Sequence, residues 1–124
     1  MAPPYSPPSD PRRNRLLAEL PDADWQRWQP QLEAVTLRSG QVLCEVGAKL
    51  AHVYFPVSAV VSLLLLTQEG ASAEIAVVGH DGAVGMSLVM GGDAMPSRAV
   101  VQSSGLACRV PASWVRDEVQ QAGA

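Results

Sequence analysis

Glycine and proline residues divide the centre of this 124-residue chain into short runs rich in valine, leucine and alanine. Short apolar runs bounded by turn-forming residues are typical of β-strands. Gln68–Ala71 separates two of these runs and predicts a hairpin turn. Strands at such close spacing, with helical patterns only near the chain ends, indicate an all-β sandwich or roll. The predicted strands cover Leu32–Leu37, Gln41–Val46, Val53–Val57, Val57–Thr67, Ser72–Val78, Arg98–Gln102 and Leu106–Val110.

Helical patterns flank the predicted strands on both sides. Arg13–Leu20 carries leucines at helical spacing and stops at Pro21. A second short helix follows, for which Asp22 or Asp24 would supply the N-cap and Pro30 the end. Its two tryptophans suit a lid packed on the core, with an aromatic ligand cage as the alternative. The apolar residues are Leu16, Leu17 and Leu20 in the first helix and Trp25 and Trp28 in the second, and a last helix is predicted over Ala112–Gln121.

The first eleven residues contain five of the ten prolines. Proline fixes φ and lacks an N–H, so this composition favours an extended tail. We therefore predict a disordered Pro-rich tail over residues 1–12 and one folded domain over residues 13–124. A proline-rich recognition ligand is the alternative for the tail. Arg12, Arg13 and Arg15 beside it are predicted to be a solvated helix start.

Composition narrows the class of protein. Hydrophobic residues make up 48% of the chain and charged residues 17%, which favours a globular fold. With 9 basic and 12 acidic residues the formal charge is −3, a poor match to phosphate backbones, so this chain alone is not expected to bind nucleic acid. The most apolar run, Val57–Leu66, has ten residues, and the N-terminus lacks a signal-type apolar stretch. These features predict a soluble cytoplasmic protein without membrane contact.

Three parts of the chain follow one another in an order that resembles a known family. They are strands at Leu37–Gly47, Val53–Pro56 and Val60–Leu63, a glycine turn at Val78–Gly85, and Cys108–Pro111 leading into a helix with Trp114 and Val115. In this order they resemble the cyclic-nucleotide-binding domain, above all the sensor domain of Crp/Fnr-type bacterial transcription regulators. The resemblance extends over Arg15–Val119. It implies a mainly β double-stranded β-helix, or jelly roll, with short flanking helices at both ends and an interior cavity for a small effector.

The resemblance also implies a ligand-binding segment after the glycine turn. In the family, a glutamate directly after a glycine binds the ribose hydroxyl, and an arginine about ten residues later pairs with the cyclic phosphate. Here Met86 follows Gly85, and Met95 stands at the arginine position. Arg98 reaches the phosphate only if the alignment shifts through Gly91-Gly92, and otherwise lies on a strand face or at the rim. The implied degenerate site consists of Gly85, Met86, Ser87, Met95, Ser97 and Arg98.

Loss of the charged pair argues against cyclic AMP binding. A buried phosphate without its cation costs several kcal/mol, which is comparable with the total of about −8 kcal/mol for a micromolar ligand. A pocket lined by Met86, Met90 and Met95 would instead be apolar and adaptable. We expect either an apolar or weakly polar effector or a domain that has lost its ligand.

The rival function is a small cupin-like metal-binding protein or enzyme. His52 and His80 are the only histidines, whereas such a site needs three or more clustered ligands. Glu74 or Asp81 would have to complete it.

Motifs for other enzymes are missing from the sequence. The glycines at 79, 82 and 85 lack the order of a dinucleotide fingerprint, and there is no GxSxG. Cys44 and Cys108 are too few for a disulfide scaffold, and we interpret them as small buried hydrophobes, with a redox pair as the alternative. We predict a non-enzyme without cofactors.

Regulators of the Crp/Fnr type continue past the roll into a dimerisation helix and a helix-turn-helix, and this sequence resembles only the sensor part. DNA binding would therefore require a helix-turn-helix in the full-length product. A homodimer of this chain would use exposed apolar surface of the roll or the last helix. A fragment that binds a protein partner and no ligand is a third hypothesis.

Overall fold

The computed structural model describes residues 10–86 and 94–122. These residues form helices α1 (Arg15–Ala18), α2 (Asp22–Trp28) and α3 (Ala112–Ala122), with 3-10 turns at Pro11–Arg13 and Gln29–Gln31. The strands are β1 (Glu33–Leu37), β2 (Val42–Cys44), β3 (His52–Pro56), β4 (Val60–Leu66), β5 (Ser72–Val78), β6 (Arg98–Ser103) and β7 (Gly105–Pro111). Within this described part, no helix combines the length and the apolar character needed to cross a bilayer.

The strands pair into two antiparallel sheets whose order differs from the order along the chain. One sheet runs β1-β7-β3 and the other β2-β6-β4-β5. Strand β7 therefore joins β1 to β3, and β6 joins β2 to β4, so that early and late strands interleave. This topology confirms the predicted mainly β jelly-roll fold with short helices.

The predicted hairpin between β4 and β5 is confirmed. The Thr67 N–H donates to the Ala71 carbonyl at 2.8 Å, and the Gly70 N–H donates to the Thr67 carbonyl at 3.0 Å. Gly70 has a φ of 84°, a conformation that glycine adopts without steric cost. The glycine that predicted a turn in the sequence is therefore the residue that adopts the left-handed conformation in this hairpin.

The core consists of two clusters on opposite faces of the β1-β7-β3 sheet. The inter-sheet cluster contains residues of both sheets, and the helix-side cluster contains α1, α3 and the other face of β3 and β7. Tyr54 packs in the inter-sheet cluster while its neighbours Val53 and Phe55 pack in the helix-side cluster. Because successive side chains of a strand point to opposite faces, β3 is covered on both of them. This explains why four consecutive residues of β3 are buried.

The N-terminal helices differ from the sequence prediction. The helix predicted over Arg13–Leu20 is a 3-10 turn followed by the single helical turn of α1, because the buried Asn14 side chain caps a new start. Leu17 is buried, but Leu16 is exposed, so the predicted three-leucine face is wrong at that position. Helix α2 begins after Pro21 without a side-chain cap, so the predicted cap by Asp22 or Asp24 is also wrong.

The described chain begins inside the predicted tail. Asp10 accepts a hydrogen bond from the Arg12 N–H at 2.9 Å and thereby caps the 3-10 turn Pro11–Arg13. Residues 10–12 of the predicted tail are therefore ordered by these local contacts, while residues 1–9 lie outside the described residues. The division into tail and domain stays a prediction. Arg12 places its guanidinium 4.4 Å from the ring centroid of Trp25, so this residue of the basic cluster contacts α2.

Candidate functional site

The candidate site is built from two segments that connect β5 to β6. The glycine segment, residues 79–86, is tied to β3: the Val84 N–H donates to the Tyr54 carbonyl at 2.8 Å and the Tyr54 N–H donates back at 2.9 Å. The return segment, residues 94–98, is tied to the loop after β2. The Met95 N–H donates to the Ala48 carbonyl and the Gly47 N–H donates to the Met95 carbonyl, both at 2.9 Å. Residues 87–93 between them, including Ser87 and Met90, lie outside the described residues.

Gly85 lies directly against the start of β3. It is buried and has a φ of 103°. A Cβ atom there would lie 2.9 Å from Leu50 Cδ2 and 3.4 Å from the His52 carbonyl oxygen. Both the conformation and the space therefore require glycine at this predicted site position.

The two described methionines of the predicted site pack in different clusters. Met95 is 4% exposed and belongs to the inter-sheet cluster, whereas Met86 packs against the helix-side cluster. The glycine segment crosses from one face of the sheet to the other between Val84 and Met86, which separates them. The expected single pocket lined by methionines is thus not assembled by Met86 and Met95.

Arg98 lies at the rim of the roll. Its neighbours Ser97 and Ala99 are buried, and strand alternation places the Arg98 side chain on the opposite, outer face. Its Nε atom lies 2.9 Å from Glu45 Oε1, and the two side chains are 33% and 58% exposed. The Nε atom itself is covered from solvent and makes no aligned hydrogen bond among the described residues, so the contact is an ion pair without hydrogen-bond geometry. Arg98 and Glu45 meet outside the interior, not within it.

The described interior next to these segments is apolar. The inter-sheet cluster contains Leu50, Tyr54, Val84, Met95 and Ala99, and no charged residue is buried among the described residues. Ser97 is the buried polar residue of the return segment. An anion entering this space would meet no cation among the described residues, which matches the absence of the charged pair from the sequence.

Asn14 is a residue of this region that the sequence analysis did not single out. Its side chain is fully buried and donates from Nδ2 to the Gly82 carbonyl at 2.9 Å and to the Pro56 carbonyl at 2.8 Å. The next residue also reaches the glycine segment, because the Arg15 N–H donates to the His80 carbonyl at 2.7 Å. An asparagine before a leucine-rich helical run is a readable N-cap signal, but its long-range partners have no local signature.

Helix α3, which leaves the roll, packs against α2 through aromatic rings. The Trp28 ring lies edge-on to Phe55 and to Trp114, with centroid distances of 6.0 and 5.1 Å. Arg27 adds an ion pair with Glu118 at 3.3 Å and contacts Asp24 within α2. The predicted lid is therefore confirmed, since Trp25 and Trp28 both pack against the helix-side cluster. An open groove of about 190 Å³ runs beside this contact, lined by Leu20, Asp24, Arg27, Trp28, Glu118 and Val119.

His52 and His80 lie in different segments of the structure. His52 places its ring 6.3 Å from that of Tyr54, and His80 lies in the turn of the glycine segment. Within residues 10–86 and 94–122, no group of three histidine, cysteine or acidic side chains is close enough to hold a metal ion. This part of the chain offers no support for the cupin-like alternative.

Cys44 and Cys108 are buried free thiols. Burial raises the pKa of both, and Glu45 adds to the increase at Cys44 as Asp10 does at Cys108. A raised pKa disfavours the thiolate, the reactive form of cysteine. These thiols therefore behave as small apolar core residues.

The raised thiol pKa values predict a pH dependence of stability. Because burial raises the thiol pKa in the folded state, the unfolded chain loses these protons at lower pH, from about pH 8.5, so the free energy of unfolding should fall as the pH rises above about 8.5. Urea unfolding between pH 7 and 10 measures this decrease. A Cys44→Ala, Cys108→Ala double variant should show a shallower decrease, and an equal slope would contradict the assignment.

The structure is a helix-flanked β-roll. Backbone hydrogen bonds hold both the glycine segment and the return segment, which connect β5 to β6, against the rest of the roll. Residues 34–122 match the family pattern described as the cyclic nucleotide-binding domain. That match covers most of the sequence, so the chain belongs to the cyclic nucleotide-binding domain family. No functionally curated protein shows significant similarity to the sequence.

Solved structures share the fold at low sequence identity. A candidate cAMP-binding regulatory protein from Silicibacter pomeroyi DSS-3 superposes with a TM-score of 0.76 at 16% identity, over 89% of this chain and 50% of that one. The N-terminal domain of a transcriptional regulator from Streptomyces coelicolor A3(2) has a TM-score of 0.71 at 20% identity, over 90% and 78%. The sensor domain of the transcriptional regulator DNR from Pseudomonas aeruginosa has a TM-score of 0.71 at 16% identity, over 88% and 73%. The chain thus spans about half the length of the Silicibacter protein.

Proposed function

We propose that this chain is the ligand-sensing domain of a Crp/Fnr-type transcription regulator whose site no longer binds cyclic AMP through a charged pair. The effector of such a site is apolar or weakly polar, or the domain acts without a ligand. The observation that carries the proposal is the position of Arg98, which is paired with Glu45 on the outer face of the β2-β6-β4-β5 sheet. Met86 and Met95, which stand at the positions of the charged pair in the predicted site, supply no charge.

A cyclic phosphate would be poorly stabilised inside the roll. In the described interior a cyclic phosphate would exchange water for Leu50, Met95 and Ala99 without gaining a cation. Moving Arg98 inward would also break its ion pair and would require the side chain to cross its own strand. Because the uncompensated desolvation of an anion amounts to several kcal/mol, micromolar affinity for cyclic AMP is not expected.

The regulatory assignment is supported by the family membership and by the kinds of protein that share the fold. Two of the similar structures are sensor or N-terminal domains of transcriptional regulators. We further propose that the chain is cytoplasmic, that it is not an enzyme, and that its own residues do not read DNA. A homodimer would form through exposed apolar surface of the roll or through α3.

Calorimetric titration of the purified chain with cyclic AMP tests the proposal. We expect no binding stronger than millimolar for the wild-type protein and for Arg98→Ala. Arg109→Ala is the matched control, because Arg109 is 31% exposed and pairs with Glu33 on the other sheet much as Arg98 pairs with Glu45. Micromolar binding that disappears in Arg98→Ala but persists in Arg109→Ala would overturn the proposal.

A further inference from the structure

The Asn14 side chain is fully used in hydrogen bonding. Besides its two donor bonds, Oδ1 accepts from the Leu16 N–H at 3.0 Å and from the Leu17 N–H at 3.4 Å. Two carbonyls face one end of the amide and two N–H groups face the other, which settles its orientation. The Oδ1 atom caps α1, whereas the Nδ2 group donates to two parts of the chain that are distant in sequence.

The donor end joins three elements that are far apart in sequence. It links the start of α1 to the last residue of β3, Pro56, and to the glycine segment at Gly82. The Arg15 N–H bond to His80 lies beside it, so two hydrogen bonds from adjacent residues hold the same turn. Beyond this turn the segment runs through Val84 to the buried Gly85.

We propose that Asn14 is a positioning residue that sets the conformation of the glycine segment, so that the N-terminal helix forms one structural unit with the candidate ligand site. An ionised carboxylate would keep the cap of α1 but would turn an oxygen toward two carbonyl oxygens. The positioning role therefore depends on the amide, whereas the capping role does not. The link to a ligand rests on the proposed function, while the positioning role stands independently of it.

Amide hydrogen exchange of Asn14→Asp at pH 7 separates the two roles. Three reporters lie in the unit: the Arg15, Gly82 and Val84 N–H groups, which donate to His80, Gly79 and Tyr54. The reference is the Val101 N–H, which donates to Gln41 at the other sheet. We expect the reporters of Asn14→Asp to exchange roughly tenfold or more faster relative to Val101 than in the wild type, as loss of buried hydrogen bonds requires.

Asp10→Ala is the matched control, because it removes the side-chain cap of the neighbouring 3-10 turn, where Asp10 accepts from the Arg12 N–H. It should leave the reporter-to-reference ratio unchanged. If Asn14→Asp also leaves the ratio unchanged, or accelerates all amides equally, the positioning role is refuted.

The wild-type protein supplies a second test in case the variant does not fold. At increasing sub-denaturing urea, the Arg15, Gly82 and Val84 amides should open together, with one opening free energy that differs from that of Val101. Independent opening of Arg15 and Gly82 would refute the proposal. No ligand enters either experiment, so their outcome is distinct from that of the cyclic AMP titration.

Discussion

Gly105→Ala should destabilise the protein by about 3 kcal/mol, which is a large fraction of the total free energy of unfolding of a small domain. A Cβ at this position would lie 2.5 Å from the Ala59 backbone nitrogen and 2.6 Å from the Ser58 carbonyl carbon. These backbone atoms cannot withdraw, because the N–H groups of residues 57–59 all donate to the Leu106 carbonyl at 2.9 to 3.1 Å. The obstruction is steric, since Gly105 is not among the residues with a positive φ.

Urea denaturation of Gly105→Ala measures this loss, and Gly79→Ala is the control. Gly79 also lacks a positive φ, and nothing lies within 4 Å of the Cβ that alanine would add. Its stability should stay within about 0.5 kcal/mol of the wild type. Equal stabilities of the two variants would show that the turn at residues 57–59 opens easily.

Trp28→Ala should cost about 3 kcal/mol and loosen α3 selectively. The indole ring lies between Phe55 and Trp114 and closes the helix-side cluster, so its removal leaves a void between α2 and α3. The measurement is urea unfolding together with hydrogen exchange of the α3 amides. Arg27→Ala provides the comparison, because it removes the half-exposed ion pairs of Arg27 with Glu118 and Asp24 and no aromatic contact, and it should cost less than about 1 kcal/mol.

A Trp28→Ala cost no larger than that of Arg27→Ala would mean that α3 is held by charge and not by aromatic packing. In that case the C-terminal helix would detach at high salt, which the aromatic contact does not permit. The two variants therefore distinguish the forces that keep α3 on the roll.

Strand positions were predictable because they depend on local pattern. The prediction of β5 over Ser72–Val78 agrees with the structure at both ends, and the β4–β5 hairpin closes where the turn residues stand. Alternating or continuous apolar runs are intrinsic to the segments that carry them. The N-terminal helix was predicted less well, because its start depends on the burial of Asn14, whose side-chain amide bonds residues 42 and 68 positions away.

The candidate site was predicted in its composition but not in its arrangement. The absence of a carboxylate at Met86 and of a cation at Met95 could be read directly. The assignment of these methionines to opposite faces of a sheet could not, because it follows from the path of the glycine segment after Val84. Ser87 keeps its place in the predicted site as an expectation.

Residue types and their spacing were enough to indicate an all-β roll of short strands, since patterning and turn chemistry act over a few residues. The resemblance to the cyclic-nucleotide-binding domain then implied that Met86 and Met95 stand at the positions of the charged pair. Tertiary structure alone decided that Arg98 faces Glu45 outside the roll and that Asn14 holds the turn at Gly82. Both contacts join residues that are far apart in sequence. They depend on how the strands and loops pack in three dimensions, which local sequence patterns do not specify.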